Sequence, residues 1–292
     1  MQEAERTVMY VESYEYVHFV KKQIWENGIT GRTQKKMETE TKGETRKEAQ
    51  QKVEPKSEQK SELKAEQLNV LVAEEQKESI WMRLDLWMHC LMAIVGGFMG
   101  AYAIFNRFDI FGSAVTGNLI HLVMDLEDAK MLSVLIRLGS VVVFALAVAI
   151  ATLIPAKTSW NVRKVCLYIE IPVCILLAFF PADMNGMLSL YPVFFIMAFQ
   201  WTSFTGACGY VCSTIFSTNN LKQTVSSFCL YWNSGDPKYK EKGTIFGLTL
   251  LAFHTGIAIS YATSKMLGLG LKSSLLCVIP LAIVYVLVEK QS

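Results

Sequence analysis

Two short polar segments with the same motif could bind a solute inside an otherwise apolar chain. Thr-x-Asn-Leu occurs over Thr116 to Leu119 and again, 102 residues later, over Thr218 to Leu221. Threonine caps helix N-termini, glycine lets other groups approach the backbone, and asparagine both donates and accepts hydrogen bonds. Free amides at a helix N-terminus attract anions. The motifs therefore predict two broken helices whose N-termini face each other and bind a solute.

The predicted solute site adds two polar residues to these motifs. Ser113 precedes the first motif, and Gln200 lies in an apolar run where its amide must find partners. The alternative is that the motif residues only cap and pack two interfacial helices, since short polar caps are common where helices break. Both interpretations stay open. The predicted binding residues are Ser113, Thr116, Gly117, Asn118, Gln200, Thr218 and Asn220.

Two ionisable residues inside apolar runs are candidates for proton or ion coupling. Glu170 and His254 qualify, because ionisable groups in a membrane span are functional candidates by default. Glu170 also lies close enough to the end of its run to reach water, Arg163 or Lys164. His254, like His89, is alternatively a hydrogen-bonded packing group.

Enzyme chemistry has no support in the motifs. Metal hydrolysis would use His-Glu-x-x-His, which is absent, and Thr202 to Gly206 lacks the glycine that precedes a serine nucleophile. The seven cysteines include no Cys-x-x-Cys pair, so they are interpreted as buried apolar side chains. We therefore predict no enzyme activity, no metal and no cofactor.

The elements that would position these residues are membrane spans. Charged side chains make up 30 of the first 80 residues but only 24 of the remaining 212, and the near-neutral balance argues against nucleic-acid binding. The charged N-terminal segment, residues 1–80, is called the head and is predicted to be largely disordered. Runs of about twenty apolar residues then predict an all-α polytopic membrane protein. The six predicted spans are Leu84 to Phe105, Met131 to Ile154, Val165 to Phe180, Met187 to Ala207, Thr244 to Thr263 and Leu269 to Val288.

The loop charges predict the orientation. Ten Lys and Arg residues lie near the span ends on the side of the head and only four on the other, so both termini are expected in the cytoplasm. No signal peptide is expected, because Glu3 and Glu5 occupy the place of its basic region. Val115 to Leu126 is too short to span and is predicted to be a re-entrant or interfacial half-helix.

The order of the motifs predicts an internal repeat. Phe144-x-x-Ala147-x-Ala149-Ile150 corresponds to Phe253-x-x-Gly256-x-Ala258-Ile259, in the same order as the two Thr-x-Asn-Leu motifs. Three spans per repeat is an odd number, so the second copy must be inverted in the membrane. The predicted divisions are the head at 1–80, a first three-helix repeat at 81–180 and a second at 181–292.

Three motifs resemble those of the YoaK family, bacterial membrane proteins with six spans. Gly97 to Ala101 keeps the glycine and alanine of the family pattern Gly-x-x-Asp-Ala, and Thr116 to Asn118 keeps its Thr-Gly-Asn turn. Gln200 matches the first residue of a Gln-Asn pair in the second half. Gly100 and Trp201 stand where the family has the aspartate and the asparagine.

The resemblance covers about residues 84 to 288 and leaves out the head. It implies the fold of a largely uncharacterised family. If the family's aspartate carries a coupling proton in relatives, this chain either uses another group or has lost the coupling.

The function predicted from these features is secondary transport of a small solute by alternating access, in a bacterial plasma membrane. The alternative is a structural or signalling membrane protein that recruits a partner through the charged head. The predicted partners are the lipid bilayer and an unknown small solute, with a homo-oligomer left open and no nucleic acid.

Overall fold

The computed structural model describes residues 54–107, 110–113 and 115–291, with side chains from residue 79 onward. Helices dominate this part of the chain. Shorter helical turns cover Leu188–Leu190, Ala262–Met266 and Gly270–Cys277, the first and last of them 3₁₀ and the second π-helical. The α-helices are α1 (Glu54–Asn106), α2 (Val115–Glu127), α3 (Met131–Lys157), α4 (Val162–Leu177), α5 (Tyr191–Ser203), α6 (Thr218–Ser234), α7 (Pro237–Tyr261) and α8 (Val278–Gln291).

Four helical segments of the described chain are long and apolar enough to cross a membrane. They are Ser79–Asn106, Met131–Lys157, Pro237–Met266 and Gly270–Gln291, and each contains one of the predicted spans almost completely. The chain is therefore a multi-pass helical membrane protein, as predicted. The other two predicted spans coincide with α4 and α5, which are shorter, with 16 and 13 residues. Six crossings and an inverted repeat stay predictions.

The charged head falls mostly outside the described residues. The prediction of disorder for residues 1–53 lies outside the described residues. From Glu54 onward the backbone belongs to α1. The predicted division of the remaining chain into repeats at 81–180 and 181–292 also stays a prediction.

Local sequence explains where α4, α6 and α7 begin or end. The Asn161 side chain accepts hydrogen bonds from the backbone N–H groups of Arg163 and Lys164, which caps α4. Asp236 caps α7 in the same way, with Pro237 as its first residue. Gly235 ends α6 with a φ of 71°, a left-handed conformation that glycine adopts without strain.

A short β-hairpin follows α5, where the sequence predicted continuous helix up to Ala207. Gly206–Ala207 pairs antiparallel with Tyr210–Val211, and the two residues of the turn between them have positive φ. The predicted span is thus broken at Ser203. Hydropathy missed the break because the run contains no charged residue.

Helices α1 and α5 form the centre of the bundle. The apolar window of the α1 span is 72% buried, against 33% for each of the other three long spans. Helix α7 crosses α1 with the two backbones in contact, because a Cβ at Gly97 would overlap the Phe253 carbonyl oxygen and one at Gly256 would overlap that of Ile94. Helix α3 packs along α5. The outer helices expose many large apolar side chains, as expected of a lipid-facing surface; examples are Val123, Leu132, Leu251 and Ile279.

Candidate functional site

The two loops that lead into α2 and α6 meet inside the bundle. Ser113, two residues before α2, donates a hydrogen bond from its buried hydroxyl to the backbone oxygen of Ile215, three residues before α6, at 3.2 Å. These positions are 102 residues apart, the same spacing as the two Thr-x-Asn-Leu motifs. The loops that precede the two short helices thus touch each other.

Gln200 ties this junction to the central helices. Its Nε2 donates to the Met92 carbonyl oxygen of α1 at 2.9 Å and to Thr214 Oγ1 of the second loop at 2.9 Å. Gln200 is fully buried, and its Oε1 has no hydrogen-bond partner among the described residues. The loop also touches α1 directly, since a Cβ at Gly96 would overlap the Thr214 carbonyl oxygen. The amide therefore leaves one buried acceptor free for a donor group.

The two motif asparagines are both buried but have different surroundings. Asn220 Nδ2 donates to the carbonyl oxygens of Ser213, at 2.7 Å, and Phe216, at 3.2 Å, and its Oδ1 accepts from Ser213 N–H at 3.2 Å. Asn220 therefore holds the second loop. Asn118 is 1% exposed, and its Oδ1 has no hydrogen-bond partner within the described part of the chain.

The remaining motif residues lie closer to the surface of the bundle. Thr116 and Thr218 are exposed, and Gly117 is partly buried. The buried core of the predicted site thus consists of Ser113, Asn118, Gln200 and Asn220.

The two predicted coupling residues lie in different environments. Glu170 is fully buried in α4, where its Oε2 lies 3.6 Å from Cys166 Sγ and its Oε1 has no partner among the described side chains. His254 is exposed on α7, with Nδ1 2.8 Å from the Leu250 carbonyl oxygen. Its location fits a packing or lipid-facing group more closely than a buried relay.

Comparison with family models identifies the chain. A model described as a protein of unknown function, DUF1275, matches residues 88–287, which include every predicted site residue. The chain belongs to the DUF1275 family. No curated protein and no solved structure matches it. The YoaK proteins belong to DUF1275, so the resemblance holds at the level of this family.

In this DUF1275 protein, aromatic rings surround Gly100 and Trp201, two of the positions at which its sequence departs from the YoaK pattern. A Cβ at Gly100 would overlap the ring of Phe111, so the space beside Gly100 is filled. Trp201 packs edge-on against Phe216, with ring centroids 5.2 Å apart, and near Phe144 at 6.5 Å. Aromatic packing therefore surrounds Gly100 and Trp201 in this structure.

A buried imidazole and thiol form a polar contact that the motifs did not predict. His89 of α1 places Nε2 3.1 Å from Cys212 Sγ, which lies 3.8 Å from Thr249 Oγ1 of α7. Among the described residues, no group of three or more His, Cys, Asp or Glu side chains could hold a metal ion. The contact joins residues 123 positions apart, so no local pattern could have indicated it.

Ion pairs connect the elements near both ends of the bundle. Arg137 Nε lies 2.5 Å from Asp125 Oδ2, which links α3 to α2. Arg163 lies 3.4 Å from Asp85 Oδ1 and so links α4 to α1, while Asp85 Oδ2 accepts the Cys208 N–H of the hairpin turn at 2.9 Å.

A groove of about 290 Å³ between α1, α7 and α8 has a different character. Its lining side chains are apolar and include Ile94, Phe98, Ile259 and Ile283. Such a groove suits hydrocarbon chains rather than a polar solute, so the polar junction is the better candidate for solute binding.

Proposed function

We propose that this DUF1275 protein is a secondary transporter that binds a small polar solute where the two loops meet. The observation that carries the proposal is the hydrogen bond between Ser113 and Ile215. It joins repeat-related positions, and in transporters with inverted repeats the site lies where broken helices of the two halves come together.

Three further features support an inverted repeat. The elements follow the same order in both halves, with a long or central helix, a loop, a short helix and then two more helices. Helix α3 packs against α5 of the second half, and α7 packs against α1 of the first half. Ile-Pro-x-x-Ile also recurs, at Ile171 and 108 residues later at Ile279. Each half therefore relies on the other for its packing.

Six crossings follow if α4 and α5 span the membrane together with their flanking turns. Backbone hydrogen bonds extend the α4 turns as far as Phe180, and the 3₁₀ turn Leu188–Leu190 precedes α5. On this proposal both termini lie in the cytoplasm of a bacterial cell, in accordance with the loop charges.

The buried polar groups indicate what the solute must offer. Asn118 Oδ1 and Gln200 Oε1 are acceptors without partners among the described residues, so the solute would donate hydrogen bonds to them. The N–H groups at the starts of α2 and α6 would donate hydrogen bonds to its oxygen atoms. A neutral or zwitterionic compound with both kinds of group fits this arrangement best. Ser113, Thr116, Gly117, Thr218 and Asn220 would shape the site around it.

The test is a thermal-stability screen of the purified full-length protein against amino acids, sugars, nucleobases and small organic acids. A ligand at 100 times its dissociation constant adds about 2.7 kcal/mol to the free energy of unfolding. The stabilisation should disappear in Gln200→Ala and Asn118→Ala. It should persist in Asn219→Ala, since Asn219 is exposed in the same motif.

The competing function is recruitment of a partner protein through the charged head. If no compound stabilises the protein, and deletion of residues 1–53 abolishes its cellular effect while Gln200→Ala does not, the transporter proposal is wrong. Labelled solute uptake into proteoliposomes that is lost in Gln200→Ala would support transport directly.

A further inference from the structure

Glu170 is a buried carboxyl group near the middle of α4. It lies eight residues after the first residue of the helix and seven before the last, so roughly 10 Å of helix separates it from either end. The side chain is fully buried. Water at the helix ends is therefore out of its direct reach.

No described cation lies close enough to pair with this carboxyl group. The basic residues of the first turn have other partners: Arg163 pairs with Asp85 and Lys164 with Glu289. The only hydrogen bond of Glu170 in the described chain is with the Cys166 thiol. An isolated buried carboxylate is so costly that such a group takes up a proton instead.

A metal cation does not suit this position. Hard cations are held by six or more oxygen atoms, whereas the neighbouring side chains on the same face of α4 are the thiols of Cys166 and Cys174. The described residues contain no group of three His, Cys, Asp or Glu side chains fit to hold a metal. The proton is the remaining small cation that one carboxyl group binds alone.

Polar side chains lie along α4 on both sides of Glu170. Arg163, Cys166, Glu170 and Cys174 follow one another at spacings of three or four residues, so they form one stripe along α4. At its Arg163 end the stripe meets Asp85 of α1.

At the other end the stripe continues through hydroxyl groups. Ser274 Oγ donates to the Cys174 carbonyl oxygen at 2.8 Å, the hydroxyls of Ser264 and Ser273 are 2.9 Å apart, and Asn106 Nδ2 donates to Ser264 Oγ at 3.0 Å. These groups lead towards the end of α1.

The helices packed against α4 bring no base to Glu170. From α1 come Asp85, paired with Arg163, and Tyr102, which donates to the Leu177 carbonyl oxygen at 3.5 Å. The 3₁₀ helix contributes Cys277 beside Cys174, and α8 contributes Tyr285, bonded to Tyr168, and Glu289, bonded to Lys164. Helix α5 contributes the hydroxyl of Ser203 near Cys166.

We propose that Glu170 is the proton-carrying group of this protein and that a proton gradient drives solute movement through it. The inference rests on the proposed transport function and names its coupling ion. Solute and proton then occupy separate sites on neighbouring helices, with Gln200 on α5 and Glu170 on α4. Release of the proton to one side would leave an uncompensated carboxylate inside the bundle, which favours rearrangement to the other state.

Infrared difference spectroscopy of the purified full-length protein tests the protonated carboxyl group without any solute. At neutral pH the wild type should show the carbonyl stretch of a protonated carboxylic acid, with a small shift in D₂O. Glu170→Gln should remove this band, and Cys166→Ala should move its frequency by removing the thiol donor. The control Glu127→Gln alters an exposed carboxylate and should leave the band unchanged. A band that survives Glu170→Gln, or no band in the wild type, would overturn the proposal.

Proteoliposomes loaded with a solute from the stability screen test the coupling. Glu170→Gln should abolish uptake driven by a pH gradient but retain exchange of labelled for unlabelled solute, which shows that the variant is folded and binds. Gradient-driven uptake in Glu170→Gln would disprove proton coupling at this residue while leaving transport intact. If no solute is transported, the proposed function fails, and the infrared result still decides whether Glu170 holds a proton.

Discussion

Asn118 and Asn220 occupy the same position of the repeated motif, but their side chains have different partners. Asn220 makes three hydrogen bonds within its own loop, whereas Asn118 keeps a buried oxygen without a partner among the described residues. Identical motif residues can therefore have different roles, one holding a loop and the other keeping the acceptor that the proposed solute would contact. The motif alone predicts only that both positions are polar.

Asn220→Ala should destabilise the protein in the absence of any solute. The substitution removes three hydrogen bonds and leaves the Ser213 N–H and carbonyl groups without them. At about 1 kcal/mol for each bond, the free energy of unfolding should fall by roughly 2–4 kcal/mol. Denaturation in mixed micelles measures this, with Asn219→Ala, expected within about 0.5 kcal/mol of wild type, as the control. Equal stability of the two variants would show that the loop does not depend on Asn220.

Two ion pairs near the α2–α3 connection offer a matched comparison of burial. Arg137 and Asp125 are 9% and 14% exposed, whereas Lys130 and Asp128 are both 58% exposed. Asp125→Asn should lower the free energy of unfolding by roughly 2–4 kcal/mol, because it breaks a mostly buried ion pair. Asp128→Asn should change it by less than about 1 kcal/mol. The same denaturation measurement compares them, and similar losses in both variants would contradict the burial argument.

At the scale of the helices, sequence patterns predicted the elements whose ends carry local signals. Val115 to Leu126 was predicted as a short helix and Val115–Glu127 is observed, with Thr116 inside its first turn and charged residues following Leu126 at its other end. The span predicted to start at Thr244 actually begins at Pro237, since exposed lysines continue the helix beyond the apolar run. Charged residues mark the ends of an apolar segment, whereas capping residues mark the ends of a helix.

Features that depend on contacts distant in sequence were not predictable. The hairpin after α5 interrupts an apolar run without a charge, and its turn N–H is held by Asp85, 123 residues away. The pairing of His89 with Cys212 is equally remote. At the candidate site, the pattern predicted two facing helix N-termini but not that Thr116 and Thr218 would be exposed.

The crossing of α1 and α7 gives a test at the element scale. Gly256→Ala should lower the free energy of unfolding by roughly 1–3 kcal/mol or more, because its Cβ would overlap the Ile94 carbonyl oxygen and force two backbones apart. Gly247→Ala on the same helix is the control, since its Cβ would meet Thr224 Cγ2 at an ordinary 3.4 Å. Alanine favours helix, so this variant should be neutral or slightly stabilised. A Gly256→Ala protein as stable as Gly247→Ala would exclude close backbone contact.

At the scale of the whole molecule, the central helices and the outer helices have different roles. Helices α1 and α5 are largely enclosed by protein, and they carry Met92 and Gln200, which meet at the junction of the two loops. The outer helices α3 and α7 each pack across the proposed repeat boundary. On the transport proposal, rocking of one half against the other would move α3 and α7 against the central helices and change access to the loop junction from either side.

The number of crossings decides whether the halves are inverted, and two cysteine substitutions distinguish the alternatives. With six crossings, α2 and α6 do not span, so residues 128 and 236 lie on opposite sides of the membrane. If α2 and α6 both crossed, there would be eight crossings and the two residues would lie on the same side. Asp128→Cys and Asp236→Cys are suitable because both side chains are exposed at helix connections.

Labelling with an impermeant maleimide, in intact cells and in inverted vesicles, shows on which side of the membrane each cysteine lies. The exposed Cys229 is first replaced by serine. We expect Asp128→Cys to react in intact cells and Asp236→Cys only in inverted vesicles. Helix length supports this outcome, because the 13 residues of α2 extend only about 20 Å, well short of the roughly 30 Å of hydrocarbon. Labelling of both cysteines from the same side would make the halves parallel. It would also remove the inverted-repeat basis of the transport proposal.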